Sequence, residues 1–210
     1  MGGSFTKTGG LLPELSSTSL IKISIIGLEN SGKSSLLSKF IDNTHRKAVQ
    51  SVLVSQGVYA DMVNYKGWDI FVGNLLYPNY IRKAFKPYLL LSDIIIFIVD
   101  SSDYQQISSA KEQIDILLGE NCINSTVFLV LANKQDIKRI TTPQLENYLE
   151  LSRLNCPYNI MPVSVLKETN LDETIKWILK QLDGHIQLRN NNNNNNTNSN
   201  NNQNNNNNTS

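Results

Sequence analysis

The chain has 210 residues, with 19 basic and 18 acidic side chains and a formal charge of +1. Near-neutrality excludes a global attraction to nucleic acid, and the length admits one domain of ordinary size plus tails. Two cysteines, Cys122 and Cys156, are too few for a disulfide framework and read as reduced, buried thiols of an intracellular protein.

No run is long and apolar enough to span a bilayer, and the N-terminus lacks the continuous apolar stretch of a secretory signal. Met1-Gly2-Gly3-Ser4-Phe5-Thr6 fits M-G-x-x-x-[ST], the acceptor pattern for myristoylation at Gly2. Residues 1–19 carry Phe5, Leu11, Leu12 and Leu15 with few charges, which reads as a short membrane-anchor segment. Lys7 is the only base before Lys22, so a second, polybasic signal is missing. One acyl chain alone gives marginal, reversible membrane binding. An ordinary flexible start with Gly second is the alternative.

Leu20 to Ile26 is an apolar, β-branched run and predicts a strand. It leads into Gly27-Leu28-Glu29-Asn30-Ser31-Gly32-Lys33-Ser34, a complete match to G-x-x-x-x-G-K-[ST]. In that pattern the glycines let backbone N–H groups converge on phosphates, Lys33 brings a charge to the β- and γ-phosphates, and Ser34 offers a hydroxyl to Mg²⁺. A helix near 34–41 follows, with Leu36, Leu37 and Phe40 on one side, and its N-terminus adds a positive end. Gly27, Asn30, Ser31, Gly32, Lys33, Ser34 and Ser35 are the expected phosphate-site residues.

Further strands are predicted near 57–63, 68–73, 94–99, 126–132 and 159–163, interleaved with helices near 104–118, 143–151 and 171–182. Thr142-Pro143 reads as a cap and first-turn pair, Asn170 with Glu173 as a capping box, and Gly184 as a helix stop. Asp100-Ser101-Ser102-Asp103 ends a strand and opens a helix. Asn133-Lys134-Gln135-Asp136 follows the strand at 126–132 directly. The Asp136 carboxylate suits the paired N1–H and N2–H donors of guanine, which adenine lacks. Ser164 and Val165 end the next strand, where a Val165 N–H is expected to reach the guanine carbonyl. Asn133, Lys134, Asp136, Ser164 and Val165 are therefore the expected base-site residues. Trp177 reads as packing on the last helix, and the isolated His45 and His185 as solvated. From Asn190 the chain is almost wholly Asn, with no apolar side chain to offset the entropy of ordering. Residues 190–210 are expected to be a disordered tail, with a self-associating segment as the alternative.

On the Gly2 start, the phosphate loop, Ile98-Val99-Asp100-Ser101-Ser102-Asp103, Leu131-Ala132-Asn133-Lys134-Gln135-Asp136 and the final helix, the chain resembles the Arf/Arf-like small GTPases over about residues 1–185. The resemblance implies an α/β P-loop fold over 20–185: a six-stranded, mostly parallel sheet with helices on both faces. It also implies GTP or GDP with Mg²⁺ as cofactors, and effector and exchange-factor proteins as partners. The implied role is vesicle trafficking from a cytoplasmic, reversibly membrane-associated pool, with no nucleic acid.

The chain departs from this family in both switches. Val54-Ser55-Gln56-Gly57 stands where the family resembles Pro-Thr-Ile-Gly, so Ser55 becomes the switch I candidate for Mg²⁺, against an ordinary loop serine. The switch II pattern is Trp-Asp-x-Gly-Gly-Gln. Trp68-Asp69 matches it only if one insertion cancels one deletion. Without any gap, Tyr65-Lys66 matches the turn before the strand, and Arg82, Phe85 and Tyr88 match the Arg, Trp and Tyr after switch II. Asn74 then stands at the Asp, Tyr77 at the second Gly and Pro78 at the catalytic Gln. Pro78 has no amide to orient a water, so hydrolysis is expected to be slow or absent, with no catalytic residue assigned. A nucleotide-bound scaffold that does not switch is the alternative reading. A P-loop kinase or ATPase is disfavoured by Asn133-Lys134-Gln135-Asp136.

Overall fold

A computed structural model describes residues 12, 21–42, 46, 49–55, 58–75, 84–123, 126–137 and 140–182, with backbone alone at 52–55, 58 and 59. Two compact units divide the chain, Met1–Ile175 and Lys176–Ser210. The second is described over 176–182, the end of a helix that spans 171–182 and carries the half-buried Trp177.

In the first unit the elements run β1 (Ile21–Gly27), α1 (Lys33–Phe40), β2 (Gln50–Ser55), β3 (Val58–Tyr65), β4 (Trp68–Asn74) and α2 (Lys86–Leu90). They continue with β5 (Ile94–Asp100), α3 (Tyr104–Gly119), β6 (Val127–Asn133), α4 (Thr142–Leu149) and β7 (Tyr158–Pro162). One sheet of seven strands has the order β2-β3-β4-β1-β5-β6-β7. β4, β1, β5, β6 and β7 are mutually parallel, while β2 and β3 form an antiparallel edge.

The expected α/β fold is present with one strand more than expected. The added strand is β2, whose partner is β3 across the Ser51↔Asp61 and Val52↔Ala60 pairs. The parallel strands read as continuous apolar runs because they are buried on both faces. Every residue of β5 and β6 is buried. The residues Trp68, Ile70 and Val72 of β4 are buried. The strand is covered on its other face too, where Phe71 is buried against Phe85 and Tyr88.

One core layer sets Ile26, Phe71, Phe97, Val99, Phe128 and Val130 of the sheet against Ile107, Ile114 and Leu117 of α3 and Leu145 and Leu149 of α4. Alternation along the strands leaves Ile23 and Ile25 facing the other way. α1 packs against β1 and β4 and buries Leu36, Leu37 and Phe40. Behind β4, the Phe71 ring stacks on Tyr88 at 4.6 Å and meets Phe85 edge-on at 5.3 Å.

Local chemistry explains the helix ends. Asp103 caps α3 by accepting from the N–H groups of Gln105 and Gln106. For α4 the cap is Thr141, one residue before the expected Thr142. Thr141 and Gln144 form the reciprocal box, and Pro143 lies in the first turn. Asn170 spends its amide N–H on the Pro162 carbonyl at 2.8 Å. Gly184, His45, His185 and the tail lie outside the described residues.

Candidate nucleotide-binding cleft

The carboxyl ends of four parallel strands lie along one edge of the sheet, with β5 and β6 running two residues past β1 and β4. Gly27 of β1 is in register with Asn74 of β4, and Asp100 of β5 with Asn133 of β6. Side chains at the carboxyl ends of such strands converge on the crevice beyond the sheet edge, the usual ligand position in open α/β folds.

The loop after β1 fixes one half of this crevice. At Gly27 a Cβ would lie 2.3 Å from the Ile98 carbonyl oxygen, so only glycine lets the loop leave β1 so close to β5. Gly32 has φ 108°, and a Cβ there would lie 2.3 Å from Asn133 Nδ2. Because Gly32 is the N-cap of α1 and has no side chain to offer, the first-turn N–H groups stay available to an anion. The Ser31 hydroxyl is buried and donates to the Leu28 carbonyl at 2.8 Å.

Lys33 Nζ donates to the Leu28 carbonyl at 2.5 Å and to Asn74 Oδ1 at 3.4 Å. Burial pulls its pKa down to about 8, while the Glu29 carboxylate opposes the shift. A cavity of about 430 Å³ is lined by Asn30, Gly32, Lys33, Ser34, Ser35 and Asn74, with Glu29 and Asp61 also on its wall.

The other half is built by the end of β6. Asn133 is nearly fully buried and ties three segments together. Its Nδ2 donates to the Ser31 carbonyl at 2.8 Å, and its Oδ1 accepts from the Val165 N–H at 3.0 Å. The Val165 N–H, expected to point at a base, is thus engaged by Asn133 instead. Side-chain acceptors compete for any backbone donor within reach, and sequence spacing does not reveal this competition.

Lys134 adopts φ 64°, and its Nζ pairs with Asp100 Oδ2 at 2.6 Å. Burial would raise the Asp100 pKa, but Lys134 and Ser102 hold it below the ordinary carboxylate value. Asp136 is exposed, and its Oδ1 accepts the Ser164 hydroxyl at 2.5 Å, which orients the carboxylate. A cavity of about 370 Å³ is lined by Asn133, Lys134, Asp136, Val165 and the exposed Leu166. Asn30, Gly32 and Ser35 line both cavities, so the two are halves of one cleft.

The structure therefore gathers Gly27, Asn30, Ser31, Gly32, Lys33, Ser34, Ser35, Asn74, Asn133, Lys134, Asp136, Ser164 and Val165 at one edge. Asp69 is not among them. It pairs with Lys22 near the opposite end of β4, five residues before Asn74, or about 17 Å of extended chain. Ser55 ends β2, where the backbone alone is described. Tyr77, Pro78 and Gly2 lie outside the described residues. Of the apolar N-terminal side chains, Leu12 is described: it is buried, and its N–H donates to the Phe40 carbonyl at 3.0 Å.

Two residues of the cleft escaped the sequence reading. Asp100, read there as a strand end, is the partner of Lys134. Its signal was the common level at which the apolar runs of β5 and β6 stop. Asp61, inside a strand pattern, carried no such mark.

The residues fit a nucleotide with its divalent cation. A lysine amine, free helix N–H groups and a serine hydroxyl share one cavity, and an oriented carboxylate stands in the other. Among the described residues, no group of three or more His, Cys, Asp or Glu side chains is placed to hold a metal ion.

Comparison with known proteins agrees with this geometry. A family model, the ADP-ribosylation factor family, matches residues 10–182. ADP-ribosylation factor L of Dictyostelium discoideum is 59% identical over 181 residues, which cover 86% of this chain and 92% of that protein. ADP-ribosylation factor F of the same organism is 30% identical over 168 residues, 78% of this chain and 86% of its own. ADP-ribosylation factor-like protein 1 of Drosophila melanogaster is 29% identical over 184 residues, 87% and 98% of the two chains.

Proposed function

Because the chain belongs to the ADP-ribosylation factor family of GTP-binding proteins, we propose that its cleft holds GTP or GDP with Mg²⁺ and hydrolyses GTP slowly or not at all. The observation that carries this reading is the convergence of Lys33 at the start of α1, Asn74 at the end of β4, and Asn133 and Asp136 at and just after the end of β6. Guanine selectivity belongs to Asp136, held by Ser164. Phosphate binding belongs to Lys33 and the first turn of α1, with Ser34 as a metal ligand and Ser55 as a second.

Slow turnover follows from the end of β4. Asn74 stands opposite Gly27 and 3.4 Å from the Lys33 amine, where an acidic group would draw a hydrated cation. Its amide oxygen still accepts a hydrogen bond but carries no charge. In the gap-free match to the family's sequence pattern, Tyr77 and Pro78 stand at a close-approach glycine and a water-orienting glutamine, and neither side chain can do that work.

The protein acts at endomembranes, in vesicle trafficking, through a myristoyl group on Gly2 and the apolar segment within residues 1–19. Exchange factors and effectors read its nucleotide state. The neutral Asn74 also favours a second reading, a nucleotide-bound scaffold that does not switch. No helix among the described residues is long and apolar enough to cross a membrane.

Competition binding with GDP, GTP and ATP tests the base assignment. Both guanine nucleotides should bind at least about 100-fold more tightly than ATP, because a site built to hydrogen-bond its partner rejects one that leaves it unpaired. Equal affinity for ATP would remove Asp136 from its role. Hydrogen exchange with GDP and then GTP separates the two readings: equal protection at the cleft edge favours the scaffold.

A further inference from the structure

The phosphate half of the cleft contains a carboxylate that no motif assigns. Asp61 lies near the start of β3, in register with Ser51 on one side and Val72 on the other. Side chains alternate along a strand, so Val72 and Asn74 share a face, and Asp61, opposite Val72, shares it too. All three line the same cavity as Lys33 and Ser34. Asp61 is half-buried, and its Oδ1 accepts the Ser51 hydroxyl at 2.5 Å. Glu29 also lines this cavity, but it is solvent-exposed on the loop, where its charge acts on Lys33.

Mg²⁺ on a nucleotide keeps several waters and is held by one or two carboxylates together with the phosphates. The carboxyl end of β4 supplies a neutral amide, Asn74, to this cavity. A carboxylate fixed on the sheet, one strand away and on the same face, meets the need that Asn74 leaves.

We propose that Asp61 holds the divalent cation of the bound guanine nucleotide through its water shell, supplying from β3 the negative charge that β4 lacks. This assignment rests on the guanine-nucleotide reading above. The Ser51 hydroxyl of β2 donates to the same carboxylate, leaving its charge in place.

Release of a fluorescent GDP analogue, measured from EDTA to millimolar Mg²⁺, tests it on the full chain. Wild type should release the probe more slowly as Mg²⁺ rises. Asp61→Asn should move the midpoint to at least about tenfold higher Mg²⁺, the scale of losing an outer-sphere partner, with little change in EDTA. Ser51→Ala keeps the carboxylate and should keep the wild-type midpoint to within about threefold. Asn74→Asp in the Asp61→Asn background should restore it. A wild-type midpoint in Asp61→Asn would overturn the assignment. So would a Ser51→Ala shift as large as that of Asp61→Asn, which would trace the effect to β2–β3 pairing. Wild type that retains no guanine nucleotide would instead overturn the functional reading itself.

Discussion

Burial holds the Lys33 amine at a pKa of about 8 instead of the ordinary 10.5, with Glu29 opposing the shift. Between those values the unfolded chain binds the proton that the folded, ligand-free chain has released. Stability of the ligand-free protein therefore rises with pH across that window. Phosphates restore the charge, so nucleotide binding must take up a proton there. Calorimetry of GDP binding in two buffers of different ionisation enthalpy should report uptake approaching one proton at about pH 9, and affinity should fall by up to about tenfold per pH unit above 8. No proton uptake would mean that Lys33 stays charged in the empty cleft. Asp136 provides the second residue-scale expectation. Asp136→Ala should weaken GDP binding by about 2–3 kcal/mol, the range of a hydrogen bond to a charged group, and leave ATP binding unchanged in competition assays.

At the scale of elements, the strand ends govern the site. Apolar runs made β1, β4, β5 and β6 legible, because strands buried on both faces must be apolar throughout. Residues 50–55 were missed because Gln50, Ser51 and Ser55 break the apolar run, as suits an edge strand that covers little. The helix cap fell one residue from its expected place because Thr141 and Thr142 are adjacent, and only hydrogen-bond geometry separates them. Removing that cap by Thr141→Ala should cost about 1 kcal/mol in denaturant unfolding. Phe97→Ala, which empties the fully buried centre of β5 next to Phe128, should cost about 3–5 kcal/mol by the same measurement. A loss below about 1 kcal/mol at Phe97 would contradict the packing described.

At the scale of the whole molecule, both nucleotide motifs were legible because local spacing alone defines them. What spacing hides is competition and pairing: the Val165 N–H engaged by Asn133, Lys134 held by Asp100, and Asp61 brought to the Lys33 cavity by strand register. The proposed membrane association belongs to this scale too, and Gly2→Ala should move the protein from membrane to soluble fractions if acylation anchors it. The central claim is a guanine-nucleotide site that lacks the means to position the attacking water. Single-turnover hydrolysis of bound GTP by purified protein tests that claim most directly. We expect a rate at least about tenfold below the 10⁻⁴ s⁻¹ scale of unassisted small GTPases; a rate at that scale would contradict it.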